Sequence, residues 1–388
     1  MSKIEVPVQL DLLAPAGAPG VLDPALWRGC FNARESTMQQ LAPYVGKMKS
    51  GMARVLVRAY SHERDTVLDP FCGSGVVPYE ALLLGRHAIG NDLNPYAHVV
   101  TMAKVTAPQS VHEALDRARG YMDMAESAKD AVDLDAVPEW VRQFFHPDTI
   151  REALALFRLL RKNDEWFFQA CILGILHHVR PGFLSYPASH LVPYLRRNLY
   201  PPEKYPRMYA YRDVRSRFLA KVRRAYRRHV PIAPLLRRQV LQENAMQMSI
   251  PSDSVDAIVS SPPYFGALDY ARDNRLRLWF LGVEDYKNVE RVLTSNDRVY
   301  VPQMVECVRE MHRVLKPGKP AVLVLGDYRR NANHADSAEA IAEIARDQFG
   351  DKFVIEAMVD DPIPDERRAR RRTRTTLRER VLVLRKIE

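Results

Sequence analysis

The sequence predicts an α/β protein built on one sheet of seven mostly parallel strands, interrupted after its second strand by a helical insertion. Three observations predict it. Short apolar runs bounded by turn residues recur in both halves of the chain, each followed by a stretch of helical periodicity. The region between about 108 and 236 has helical patterning and no buried strand run. The chain has 388 residues, 47% of them hydrophobic, which is enough for one large core.

Taken in order, residues 1–24 are rich in Pro and Gly and form an expected N-terminal arm. Residues 66–69 are a short apolar strand. Residues 75–84 carry helical periodicity, and Gly85 is placed to close that helix in the left-handed conformation. Residues 87–92 give the next strand. A strand–helix–strand unit of this kind builds parallel sheets. Within the insertion, 166–179 is apolar enough to be a core helix. Strand patterns return at 239–243, 255–260, 321–327, 353–358 and 380–385, with helical stretches at 302–315 and 335–348. The expected division is a main domain of residues 25–107 and 238–388, with 108–237 as the insertion.

Composition narrows the functional classes. Lys and Arg number 57 against 47 Asp and Glu, a net charge of +10, which favours a polyanionic partner. Cys30, Cys72, Cys171 and Cys307 show no paired spacing, so neither a disulfide framework nor a zinc site is expected, and no metal is. No signal pattern and no run of ~18 apolar residues is present. A cytoplasmic protein without a membrane partner is expected.

The first strand runs into Asp69-Pro70-Phe71-Cys72-Gly73-Ser74-Gly75. Glycines at 73 and 75 let the backbone turn sharply and approach a ligand. The helix that follows offers free N–H groups and a positive dipole end. Asp92, 23 residues beyond Asp69, ends the second strand, where a carboxylate can accept hydrogen bonds from both hydroxyls of a ribose. Pro78 stands where a dinucleotide fingerprint has its third glycine, and no Gly-Lys-Ser/Thr ending marks a triphosphate loop. A ribose ligand with a small anionic end fits better than a pyrophosphate. S-adenosylmethionine has that make-up.

Far downstream, another apolar strand ends on Ser261-Pro262-Pro263-Tyr264. The prolines remove backbone donors and hold the chain extended. The Ser261 hydroxyl and the Pro262 carbonyl are two acceptors that match the two N–H groups of an exocyclic amine. Tyr264 offers a flat face for stacking a base, worth ~1–3 kcal/mol.

These segments resemble those of the DNA amino-methyltransferases, Rossmann-like enzymes that methylate exocyclic nitrogens of cytosine or adenine. Asp69 to Gly75 is similar to their cofactor motif, with Phe71, Gly73, Ser74 and Gly75 as contacts. Asp92-Leu93-Asn94-Pro95 is similar to their ribose-binding acid and its flank. Ser261-Pro262-Pro263-Tyr264 resembles their catalytic motif in its cytosine-N4 form. The resemblance also implies cofactor contacts from Tyr44 and Lys47, and from Asn244 and Ala245 beside the adenine ring; the family commonly has Asp where Asn244 stands. It covers about residues 40–105 and 238–388. Many cytosine-N4 enzymes place the catalytic motif first; here the cofactor motif precedes it.

By that resemblance, the target base swings out of the duplex, Ser261 and Pro262 orient its amine, and no covalent enzyme intermediate forms. The expected activity is site-specific transfer of a methyl group from S-adenosylmethionine to cytosine N4 in double-stranded DNA. Adenine N6 is the nearest alternative, then an RNA base, then an idle nucleic-acid-binding module. A restriction or defence partner and a nucleoid location in the cytoplasm complete the expectation.

From Arg196 to Arg238 only Glu203 and Asp213 oppose a dense basic run. Arg196, Arg197, Arg207, Arg212, Arg215, Arg223, Arg224, Arg227 and Arg228 are the expected DNA contacts. Tyr194, Tyr200, Tyr205, Tyr209, Tyr211 and Tyr226 are interleaved. The run from Arg367 to Arg374 is a second basic patch. His177-His178 lacks partners spaced for a metal, and Cys72 reads as a small packing residue in the turn.

Overall fold

The computed structural model describes residues 22–28, 35–176, 183–185, 201–263, 270–292, 297–330, 333–362 and 378–388. Tyr264, Arg196, Arg197, Tyr194, Tyr200, the His177-His178 pair, the 367–374 run and most of the arm lie outside them.

The strands are β1 (Thr66–Asp69), β2 (His87–Asn91), β3 (Arg238–Leu241), β4 (Ala257–Ser260), β5 (Pro320–Arg330), β6 (Asn333–Asp336), β7 (Phe353–Pro362) and β8 (Arg378–Lys386). Seven of them run in the order β3-β2-β1-β4-β5-β8-β7. The first five in that path are mutually parallel, and β8 is antiparallel to both β5 and β7. This is the mostly parallel, Rossmann-like seven-strand sheet that the sequence predicts. An eighth strand, β6, turns back antiparallel along the end of β5, which extends three residues past the predicted 327.

Alternation sorts the strand side chains between two layers. On β5, Val322 and Val324 join one apolar cluster, while Ala321, Leu323 and Leu325 join the other. Helices Asp297–Val314 and Ser337–Phe349 cover the second face. The first face takes helices Ser50–Tyr60, Val76–Leu83 and Pro95–Val105. The insertion's helices Val111–Ala128, Pro147–Lys162, Trp166–Leu173 and Val214–Ala225 pack onto that same cluster through residues such as Ala118, Leu156, Phe168 and Phe218. The insertion therefore shares a core with the sheet. At the other end of the sheet, Trp27 is fully buried and its indole N–H donates to Asp361 on β7 at 2.7 Å.

The chain leaves β1 toward β2 and β3, and leaves β4 in the opposite direction toward β5. The strand order thus reverses between β1 and β4. In open α/β sheets the crevice beyond the strand ends at such a switch point is where ligands bind. Both motifs found in the sequence sit there, one after β1 and one after β4.

Candidate active site

The turn after β1 is shaped by two left-handed glycines, Gly73 (φ 50°) and Gly75 (φ 70°). A side chain at Gly73 would meet the Tyr44 ring at 3.1 Å. Gly75 is the N-cap of Val76–Leu83 and packs against Thr101, so it shapes the turn from behind. The missing third glycine has a counterpart on the neighbouring strand. A Cβ on Gly90 of β2 would lie 3.0 Å from Pro78 and 3.2 Å from Cys72, so the strand supplies the close approach that a helix glycine would otherwise give.

Asp92 binds this turn together. Its Oδ2 accepts the Gly73 N–H at 2.8 Å and its Oδ1 accepts the Asn94 N–H at 2.9 Å. Burial pushes its carboxyl up to about 6, against the pull of those two N–H groups. Asp69 is buried too, and its carboxyl is pushed up to about 7. Hydrogen bonds from the Ser260 hydroxyl (2.6 Å) and the Phe71 N–H (3.1 Å) oppose that rise.

The tip after β4 closes the opposite wall. Ser261 and Pro263 line the cleft, and the Pro263 carbonyl accepts the Tyr300 hydroxyl at 3.0 Å. Pro262 is buried behind them. The cleft holds about 1080 Å3 of empty space, open solvent included. Of the residues expected to hold the cofactor, Tyr44, Lys47, Asp69, Phe71, Gly73, Ser74, Asp92, Asn244 and Ala245 all line it. Gly75 and Asn94 are not among the lining residues. Asn94 is fully buried and its side chain caps Pro95–Val105 by accepting the Tyr96 N–H at 2.9 Å.

The cleft suits S-adenosylmethionine. Ser74 Oγ is buried, lines the cleft and has no hydrogen-bond partner in the protein, so a ligand acceptor or donor can satisfy it. Asp92 offers ribose acceptors, Asp69 a counter-charge for a cation, and the start of Val76–Leu83 carries no side-chain cap. Phe71, Met304 and Ala245 add apolar wall.

Sequence reading missed several residues that hold this cleft. Asn91 is fully buried; its amide nitrogen reaches the carbonyls of Pro70 (3.2 Å) and Glu243 (3.1 Å), and its oxygen accepts the Glu243 N–H at 3.0 Å. One side chain thus joins the ends of β1, β2 and β3. Behind the turn, buried Lys104 donates to Gln39 at 2.8 Å, and Gln39 donates to Glu80 at 2.9 Å; Arg54 also donates to Glu80, at 2.9 Å. Burial holds the Lys104 ammonium well below its ordinary range, with Lys47 adding to the effect. The polar Asn91 between Gly90 and Asp92, at a strand end, was the one available signal.

The expected DNA contacts divide by exposure. Arg207, Arg223, Arg224 and Arg227 are exposed. Arg212, Arg215 and Arg228 are half-buried, and Arg215 pairs with Asp123. Among the described residues no group of three His, Cys, Asp or Glu could hold a metal ion, and no helix is long and apolar enough to cross a membrane.

Comparison with known proteins agrees with the cleft. Residues 26–103 match the DNA methylase family of N6 and N4 methyltransferases. The chain is 26% identical over 288 residues to the Type II methyltransferase M.BsoBI of Geobacillus stearothermophilus, an alignment covering 62% of this chain and 53% of that protein. The chain thus spans about half the length of the curated relative it matches. Among solved structures, TrmN from Thermus thermophilus aligns over 91% of this chain and 53% of its own at 13% identity and a TM-score of 0.36. A SAM-dependent methyltransferase from Methanosarcina mazei aligns over 86% and 97% at 13% identity and a TM-score of 0.34. Those likenesses are loose, and the fold assignment rests on the strand order itself. Residues 26–103, with the glycine turn and Asp92 inside them, match the model of the DNA methylase family, and over 62% of its length the chain is similar to a Type II methyltransferase.

Proposed function

We propose that this protein transfers a methyl group from S-adenosylmethionine to the exocyclic N4 of cytosine in double-stranded DNA. One observation carries the reading: the glycine turn and the Ser261 tip share a single cleft and are hydrogen-bonded through Asp69 and Ser260. Asp92, Ser74 and Asp69 hold the cofactor at one end. The bound cofactor supplies an electrophilic methyl group on a sulfonium centre. Ser261 and the Pro262 carbonyl accept from the two N–H groups of the target amine and direct its lone pair inward. Positioning the amine and excluding water account for the acceleration.

The Ser-Pro-Pro-Tyr form of the tip supports cytosine over adenine. The insertion, residues 108–237, serves as the target reader, its exposed Arg207, Arg223, Arg224 and Arg227 meeting phosphates. A cognate restriction or defence partner fits the likeness to a Type II methyltransferase. The test is tritium transfer from labelled S-adenosylmethionine to DNA, to RNA and to neither, followed by nucleoside mass spectrometry. N4-methylcytosine from DNA supports the reading. N6-methyladenine moves the assignment to the other base, and label in RNA alone overturns the substrate.

A further inference from the structure

The Ser260 hydroxyl sits where the two motifs touch. Ser260 is the last residue of β4, is fully buried, and donates to Asp69 Oδ1 at 2.6 Å. The Phe71 N–H donates to the same oxygen at 3.1 Å. Asp69 and Ser261 both line the cleft, so Ser260 connects one wall to the other through a single bond and a single peptide link. Two residues further on, the Pro263 carbonyl is held by Tyr300. Ser261 therefore lies between two anchors, one reaching the cofactor turn and the other the helix Asp297–Val314.

We propose that Ser260 is a positioning residue that holds the Asp69 carboxylate toward a cationic ligand group, an ammonium or sulfonium, and sets Ser261 relative to it. The inference rests on the methyl-transfer reading of the cleft. Two donors on Oδ1 stabilise the charged form of a carboxyl that is otherwise buried at a cost. Other titratable groups lining the same cleft are Asp92 from the end of β2, Glu243 from beyond β3, Lys47 from the Tyr44 side, Cys72 in the turn, and Tyr300 and Cys307 from the helix. Of these, Asp92 adds a repulsion that favours the neutral form of Asp69.

The sign of the effect follows. Burial pushes the Asp69 carboxyl up to about 7, and only its ionised form attracts a cation, so affinity should rise with pH through that range. Without the Ser260 donor, burial is less opposed and the midpoint moves up. The experiment measures binding of S-adenosylmethionine to the full chain by calorimetry between pH 5.5 and 9, for wild type, Ser260→Ala and Ser260→Thr. Expected for Ser260→Ala is a ~5–20-fold loss of affinity at pH 7, a higher midpoint, and recovery toward wild type at pH 9. Ser260→Thr keeps the hydroxyl and restores the midpoint. Adenosine, which lacks the cationic end, binds all three proteins alike. An unmoved midpoint in Ser260→Ala overturns the inference, even if affinity falls at every pH. So does an equal loss of adenosine binding, which marks a general collapse of the cleft. If wild type binds the cofactor yet methylates no base, the transferase reading fails while the pH series still decides the role of Ser260. If wild type binds neither ligand, both fail.

Discussion

The Gly73 N–H donates to Asp92 Oδ2 at 2.8 Å, so the turn after β1 and the carboxylate after β2 act as one unit. Asp92 therefore shapes the turn, and in the proposed function it also accepts from a ribose. Asp92→Ala removes both. The expected result is a ~10–100-fold weaker Kd for S-adenosylmethionine by calorimetry, since hydrogen bonds to charged groups contribute ~1.5–3 kcal/mol. Wild-type affinity in this variant would place the ribose elsewhere.

Ser261 stands on the opposite wall of the cleft. Ser261→Ala is expected to lower turnover ~10–100-fold, the effect of one lost hydrogen bond to the amine, with cofactor affinity kept. Single-turnover kinetics beside calorimetry separates the two. Equal losses in both would make Ser261 a cofactor contact.

Gly75 has a steric reason to be glycine beyond its φ of 70°. An added Cβ would lie 2.7 Å from Thr101 Oγ1 and 2.9 Å from Thr101 Cα, and the backbone atom cannot rotate away. Gly318 also has a positive φ, 74°, but faces open space. Gly75→Ala should lower stability by more than Gly318→Ala, with about 1–3 kcal/mol of backbone strain common to both. Thermal unfolding of the two variants side by side reads the difference, and equal shifts would leave the Thr101 contact without weight.

Exposed Arg223 and Arg227 follow one another on and just beyond the helix Val214–Ala225. If they meet phosphates, replacing both with Gln weakens duplex binding across sequences. The log–log salt slope should then become shallower by about 2. Fluorescence anisotropy over a salt series gives the slope, and an unchanged value would remove this helix from the DNA path.

Strand positions were legible because a buried parallel strand is a nearly continuous apolar run, as in the Ala257–Ser260 strand, where every residue is buried. The cofactor turn was legible because glycine spacing reports backbone shape directly. The supporting polar groups were not. The resemblance places Asn94 in the flank of the ribose-binding acid, and the structure shows that its side chain also caps the helix Pro95–Val105, a role open to an Asn before Pro. Asn91, Lys104 and Ser260 draw their partners from residues 21 to 191 positions away, which no local pattern records. The β6 hairpin depends on how far β5 continues past its apolar portion, and its short polar strand has no alternation to reveal it.

Trp27, near the start of the described chain, is seated against β7, and β8, which carries the last described residues, pairs with that same strand. Trp27 and the last described strand thus lie on one flank of the sheet, while the longest excursion leaves and returns at the other, between β2 and β3. A circular permutant opened within that excursion and bridged across the flank by a linker would preserve all the pairings around β1 and β4.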